Sequence, residues 1–145
     1  MATEHTAHAS WHGDLISGSG SFSLGSGAAT DVGLTWRARA EDASAGTSPE
    51  ELIAGALASC FSMALSHGLA QAGTAPTSIE TDATASFDRT EEGPRMTRIA
   101  LSVRGDVPGV DEAAFREAAE GAKANCPVSK ALEGNVEISL DAGLG

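Results

Sequence analysis

The stretch "SPEELIAGALASCFSMALSHGL", Ser48 to Leu69, decides how this chain folds. It opens with helix punctuation. Ser48 suits a cap, Pro49 suits the first helical position, and Glu50 and Glu51 suit the positive end of the helix dipole. From Leu52 to Leu65 apolar residues fall on every face, interrupted by Gly55, Ser59, Cys60 and Ser62. A surface helix carries one apolar stripe, so this one is predicted to be surrounded by protein and to end near Gly68 or Gly73. Cys60, one of two cysteines in the chain, sits in its middle.

Upstream, short extended pieces precede the helix. Ala7 to Trp11 reads as a strand, a second lies around Phe22 between Gly/Ser turns, and Val32 to Arg39 alternates at period two. In that alternation Val32, Leu34, Trp36 and Ala38 share one face, while Thr35, Arg37 and Arg39 share the other. Downstream, Ile79, Ala83, Ala85 and Phe87 alternate, as do Ile99, Leu101 and Val103, with "EEGP" (Glu91–Pro94) between them. They predict a hairpin. Asp111 caps an amphipathic helix that Pro127 must end or kink, and a short helix Val128–Leu132 follows. Val136, Ile138 and Leu140 alternate as a last strand. Strands, buried helix, hairpin, helix and strand define an α+β fold, read as one domain over residues 1–145.

Composition narrows the function. With 145 residues the chain is long enough for one core, and with no Tyr and 4% aromatics that core is built from Ala, Leu, Val and Ile. So little side-chain bulk favours association with a second chain. A net charge of −11 argues against nucleic acid and anionic membrane surfaces, which need clustered Lys or Arg. Met1–Ser10 lacks the basic and apolar regions of a signal peptide, and no segment is expected to reach the roughly 20 apolar residues of a membrane span. A cytoplasmic location is expected, where a cysteine pair is redox-active or merely buried more often than a permanent bridge. Of His5, His8, His12 and His67, the three near the N-terminus lack a Cys or carboxylate partner at ligand spacing, and no metal site is expected. "GSGSFSLGSG" does not join a strand to a long helix and makes a poor phosphate loop.

The cysteines then carry the interest. Cys126 stands directly before Pro127, where a helix breaks; unpaired N–H groups at a new helix start would lower its thiol pKa. Cys60 in an apolar helix reads first as inert core, since burial raises a thiol pKa. For Cys60 to react a cation must approach it, and Arg37 and Arg39 are the nearest in sequence. Glu50 can orient such an arginine, but ten residues separate it from Cys60, about 15 Å along one helix axis. A second copy packed antiparallel would bring its Glu50 to Cys60. A Glu–Arg–Cys constellation is therefore expected to form across a homodimer.

"TSPEELIAGALASCFSMALS" (Thr47–Ser66), "AKANCPVSKAL" (Ala122–Leu132) and "HASWHGD" (His8–Asp14) together resemble the OsmC branch of the OsmC/Ohr family. "AGTAPTSIET" and "VPGVDEAAF" match its pattern as well, so the likeness spans nearly the whole chain. The resemblance implies an interlocked homodimer whose antiparallel sheets wrap around long central helices. It implies a thiol peroxidase that reduces organic hydroperoxides in oxidative and osmotic stress, without a cofactor. An external dithiol reductant of the lipoyl type is the implied partner. Carried over by residue, Cys60 is the peroxidatic thiolate, Cys126 the resolving thiol and Glu50 the carboxylate that holds the catalytic arginine. Arg39 is favoured over Arg37 for that arginine by its distance from Pro49. Leu57, Phe61 and Met63 are expected to line an apolar substrate pocket. The alternative is a dimer that binds an apolar ligand, or senses oxidants through the same thiols, without turnover.

Overall fold

The computed structural model describes all 145 residues, Met1–Gly145, and divides them into two compact units, Met1–Leu52 and Ile53–Gly145. In the first unit, strands β1 (Ala7–His12), β2 (Ser19–Leu24) and β3 (Val32–Leu34) form an antiparallel sheet in the order β1-β2-β3. Phe22 is its buried anchor, paired with Ala9 on one side and Val32 on the other.

The predicted strand Val32–Arg39 stops at Leu34. Helix α1 (Trp36–Ala40) takes its place, capped by Thr35, whose hydroxyl accepts the Ala38 N–H at 3.1 Å. The Trp-Arg-Ala-Arg-Ala alternation looks strand-like, but the cap satisfies an otherwise unpaired amide and tips five residues into a helical turn. Arg37 and Arg39 thus do not share a strand face. Two residues apart on a helix lie about 200° apart around its axis.

Helix α2 runs from Pro49 to Gln71, and Ser48 Oγ accepts the Glu51 N–H at 3.1 Å, as the punctuation predicts. From Ile53 onward it belongs to the second unit. There β4 (Ser78–Thr90) and β5 (Gly93–Asp106) form the expected hairpin, followed by α3 (Glu112–Asn125), α4 (Pro127–Leu132) and β6 (Glu137–Leu144). The sheet order is β4-β5-β6, with β4 antiparallel and β6 parallel to β5. A parallel pair needs a crossover connection, and α3 with α4 supplies it.

Leu57, Phe61, Leu65 and Leu69 form one stripe of α2 and are buried with Ile99, Leu101 and Val103 of β5 and Phe115, Ala119 and Ala122 of α3. Each such large side chain contributes about 1.5–3 kcal/mol by leaving water. Gly105 matters here: a Cβ on it would meet the Phe115 ring at 2.5 Å, so the missing side chain lets α3 close on the sheet.

The expectation that α2 is surrounded on every side does not hold within one chain. Gly55, Ala56, Ser59, Met63 and His67 are exposed, and Met63 is 73% so. Small residues on that face leave it shallow and uncovered. The expectation that no segment has the length and apolarity of a membrane span is also corrected. Helix α2 has 23 residues and a window of mean hydropathy 1.5, sufficient by length and composition. One stripe of it, Leu57, Phe61, Leu65 and Leu69, packs into the core of the second unit with β5 and α3.

Candidate active site

Two pairs of predicted residues meet, one in each unit. In Met1–Leu52, Arg39 and Glu50 form a forked ion pair. Arg39 Nη2 donates to Glu50 Oε1 at 2.8 Å, and Nε donates to Oε1 at 3.1 Å and to Oε2 at 3.2 Å. Glu50 is 7% exposed, at the first turn of α2, where orphan N–H groups favour an anion. Two guanidinium nitrogens against one carboxylate fix the plane of the arginine, which a lysine could not reproduce. Arg37 turns away and pairs at 2.9 Å with Asp42, which also accepts from Ser44. The helical turn of α1 thus separates two arginines that a strand would have aligned.

In Ile53–Gly145, Cys60 and Cys126 are free thiols near disulfide distance. Cys126 closes α3 and opens α4: its N–H donates to Ala122 O at 2.8 Å and its carbonyl accepts the Lys130 N–H at 3.0 Å. Proline disfavours helical geometry in the residue before it, so the break falls on Cys126, at φ −57° and ψ 126°. Cys126 is fully buried in the core cluster, and Cys60 packs at the edge of that cluster, half-buried.

The thiols differ in charge preference. Burial pushes the Cys60 thiol up, and its hydrogen bond to Cys126 holds its proton; the Val128 N–H works weakly against both. Burial acts the same way on Cys126, but the proton offered by Cys60, the Ser129 N–H and hydroxyl and the Val128 N–H outweigh it, and its pKa falls. Of the two sulfurs in this chain, Cys126 is thus the one that favours the anion. The sequence reading anticipated the lowered Cys126 and the raising effect of burial on Cys60.

Leu57 and Phe61, expected to line a pocket, are 0% exposed and sealed in the core. Their spacing on α2 puts them on the stripe that faces β5. Within the single chain they are core residues. Met63 lies on the open face, where with Ser62, Ser66, His67, Pro76 and Ile79 it borders a shallow groove. Ser129 was not anticipated. It stands three residues after Cys126 in the first turn of α4, a position from which a side chain can turn back on the cap.

This arrangement, an α+β chain with a thiol on a long core helix and a second thiol at a proline-broken helix start, has close counterparts. The family model described as "OsmC-like protein" matches residues 41–141. Peroxiredoxin OsmC of Escherichia coli K12 is 43% identical over 141 residues, covering 97% of this chain and 96% of that protein. The organic hydroperoxide resistance protein OhrA of Bacillus subtilis is 31% identical over 115 residues, 77% of each chain. The crystal structure of OhrB from Bacillus subtilis superposes with a TM-score of 0.73 at 26% identity, covering 94% of this chain and 97% of that one. The chain belongs to the OsmC/Ohr family, and its higher identity to the OsmC protein agrees with the branch that its N-terminal segment suggested.

Proposed function

We propose that this protein is a cysteine-based peroxidase that reduces organic hydroperoxides to alcohols. The observation that carries the reading is the pairing of Cys60 with Cys126, free and near disulfide distance, in a chain whose relatives are named as a peroxiredoxin and as organic hydroperoxide resistance proteins. The Cys60 thiolate attacks the outer peroxide oxygen; the O–O bond breaks, the alkoxide takes a proton and leaves as the alcohol, and Cys60 becomes a sulfenic acid. The Cys126 thiolate then attacks the Cys60 sulfur, hydroxide leaves, and a disulfide forms. An external dithiol, of the lipoyl type in our reading, restores both thiols, and no resident cofactor or metal takes part.

The reading assigns Arg39 the task of stabilising the thiolate and the charge that develops on the peroxide oxygens, since a guanidinium cannot surrender its proton. Glu50 holds that guanidinium in plane. A cation is needed at Cys60 because burial raises its pKa within the chain. We assign the cation to a second copy, making the active unit a homodimer. The ten-residue step from Glu50 to Cys60 along α2 and the uncovered small-residue face of that helix support this assignment. In this reading Met63, exposed on the open face of α2, is the apolar side chain that favours alkyl and fatty-acyl hydroperoxides over hydrogen peroxide.

Catalytic consumption of cumene hydroperoxide with a dihydrolipoyl reductant tests the reading. Multiple turnovers are expected, with Cys60→Ser lowering the rate by about a thousandfold or more. Consumption that stops after one equivalent would replace the enzyme with an oxidant sensor. Cys126→Ser should still be oxidised once at Cys60 and should lose dithiol-dependent recycling.

A further inference from the structure

Ser129 is 7% exposed, and its hydroxyl oxygen is buried without a hydrogen-bond partner. Buried hydroxyls are normally paired, so this one asks for an acceptor. Ser129 stands three residues after Cys126 in the first turn of α4, and its hydroxyl works to lower the Cys126 pKa. Cys126 is itself 0% exposed, so water is not at hand to solvate a charge on it.

We propose that Ser129 is a positioning residue of the thiol chemistry: its hydroxyl donates to the Cys126 sulfur and makes Cys126 the sulfur released when a reductant opens the Cys60–Cys126 disulfide. The inference rests on the peroxidase reading only for the natural origin of that disulfide. In the reduced chain Cys60 also offers its proton to Cys126. Once Cys60 is bonded to another sulfur that proton is gone. The Val128 and Ser129 N–H groups remain, and the Ser129 hydroxyl is then the side-chain donor to the departing anion.

The step balances as follows. A thiolate of the reductant attacks the Cys60 sulfur, and a new S–S bond forms there. The Cys60–Cys126 bond breaks, and its electron pair leaves on Cys126, where Ser129 holds it. A second thiolate of the same reductant then attacks the reductant's first sulfur. The reductant is oxidised to its disulfide, and Cys60 departs with the electron pair and is protonated. Accessibility points the same way, since Cys60 is half-buried and Cys126 sealed. Among charged neighbours, Lys123, Lys130 and Glu133 share with Ser129 the lining of a cavity of about 200 Å³, and Cys60 is the titratable group that bonds to Cys126. All are left intact in the test.

The full chain is oxidised with diamide, opened with mercaptoethanol, quenched in acid, and the adduct is mapped by mass spectrometry. Because diamide forms the disulfide, a chain that fails the peroxide assay still reports on Ser129. The adduct is expected on Cys60. Ser129→Ala, checked by circular dichroism, is expected to slow opening about fivefold and to move part of the adduct to Cys126, since a poorer leaving thiolate departs more slowly. Ser129→Thr keeps a hydroxyl and is expected to restore both. Opening of Ser129→Ala at the wild-type rate would overturn the proposal. So would failure of a folded Ser129→Thr to restore it, or failure of diamide to form the disulfide. If Ser129→Ala does not fold, the wild-type adduct decides, and one found mainly on Cys126 sinks the idea.

Discussion

The two pairs in this protein are assembled by different forces. Cys60 and Cys126 lie 66 positions apart in sequence, and they meet because α2 and α3 both bury apolar stripes against β5. Arg39 and Glu50 lie 11 positions apart, and they meet because Thr35 and Ser48 cap two successive helices in one short segment. Non-directional packing brings the thiols together; directional hydrogen bonds aim the guanidinium. A thiol pair that must form and break a covalent bond gains from a rigid, dry support. A guanidinium that must meet a passing substrate needs a fixed plane and access to it, and Arg39 keeps 37% of its side chain exposed.

The largest test of that contrast is Phe61→Ala. If packing sets the thiol pair, removing this fully buried ring should cost about 3–5 kcal/mol in urea unfolding. It should also slow disulfide closure. A loss below about 1 kcal/mol would mean that the core is not what holds the sulfurs. Next in size is Arg39→Ala, expected to lower kcat/KM for an organic hydroperoxide about a hundredfold, the scale of a lost transition-state donor. Arg37→Ala, whose ion pair with Asp42 is largely in solvent, should change neither activity nor stability measurably. Equal effects of the two would break the distinction drawn from α1.

The smallest effect is a matter of sign. Ultraviolet thiolate absorbance of the reduced protein should rise in two steps, one below and one above the ordinary thiol value of 9.0, Cys126 favouring the lower and Cys60 the upper. The lowered Cys126 contributes stability that is present above the ordinary value and lost as pH falls through its folded value. The raised Cys60 contributes stability that is present below the ordinary value and lost as pH rises through its folded value. A single step at the ordinary value would show that the α4 donors do nothing for Cys126.

Much of the fold was legible before any coordinates. Ser48-Pro49-Glu50 announced the start of α2, Asp111 announced α3, Pro127 broke it from α4, and alternation placed β4 and β5. Each of these signals is local. Arg39 and Glu50 were legible as candidates from helix-start chemistry and resemblance. Ser129 was not, since its interest lies in an unpaired oxygen that only burial creates.

By itself the sequence determined the order of the elements from α2 to β6, the starts of α2 and α3, and the placing of one cysteine mid-helix and the other at a helix break, because caps, prolines and alternation act within a few residues. The tertiary structure decided the rest. Trp36–Ala40 became a helix rather than a strand, and so Arg39, not Arg37, reached Glu50. It also decided which stripe of α2 is sealed, and so that Leu57 and Phe61 are core while Met63 is open. An all-round apolar helix does not announce its buried side. That depends on which neighbours arrive, and here β5 and α3 arrive on the Leu57–Leu69 face, with Cys126 carried in beside Cys60.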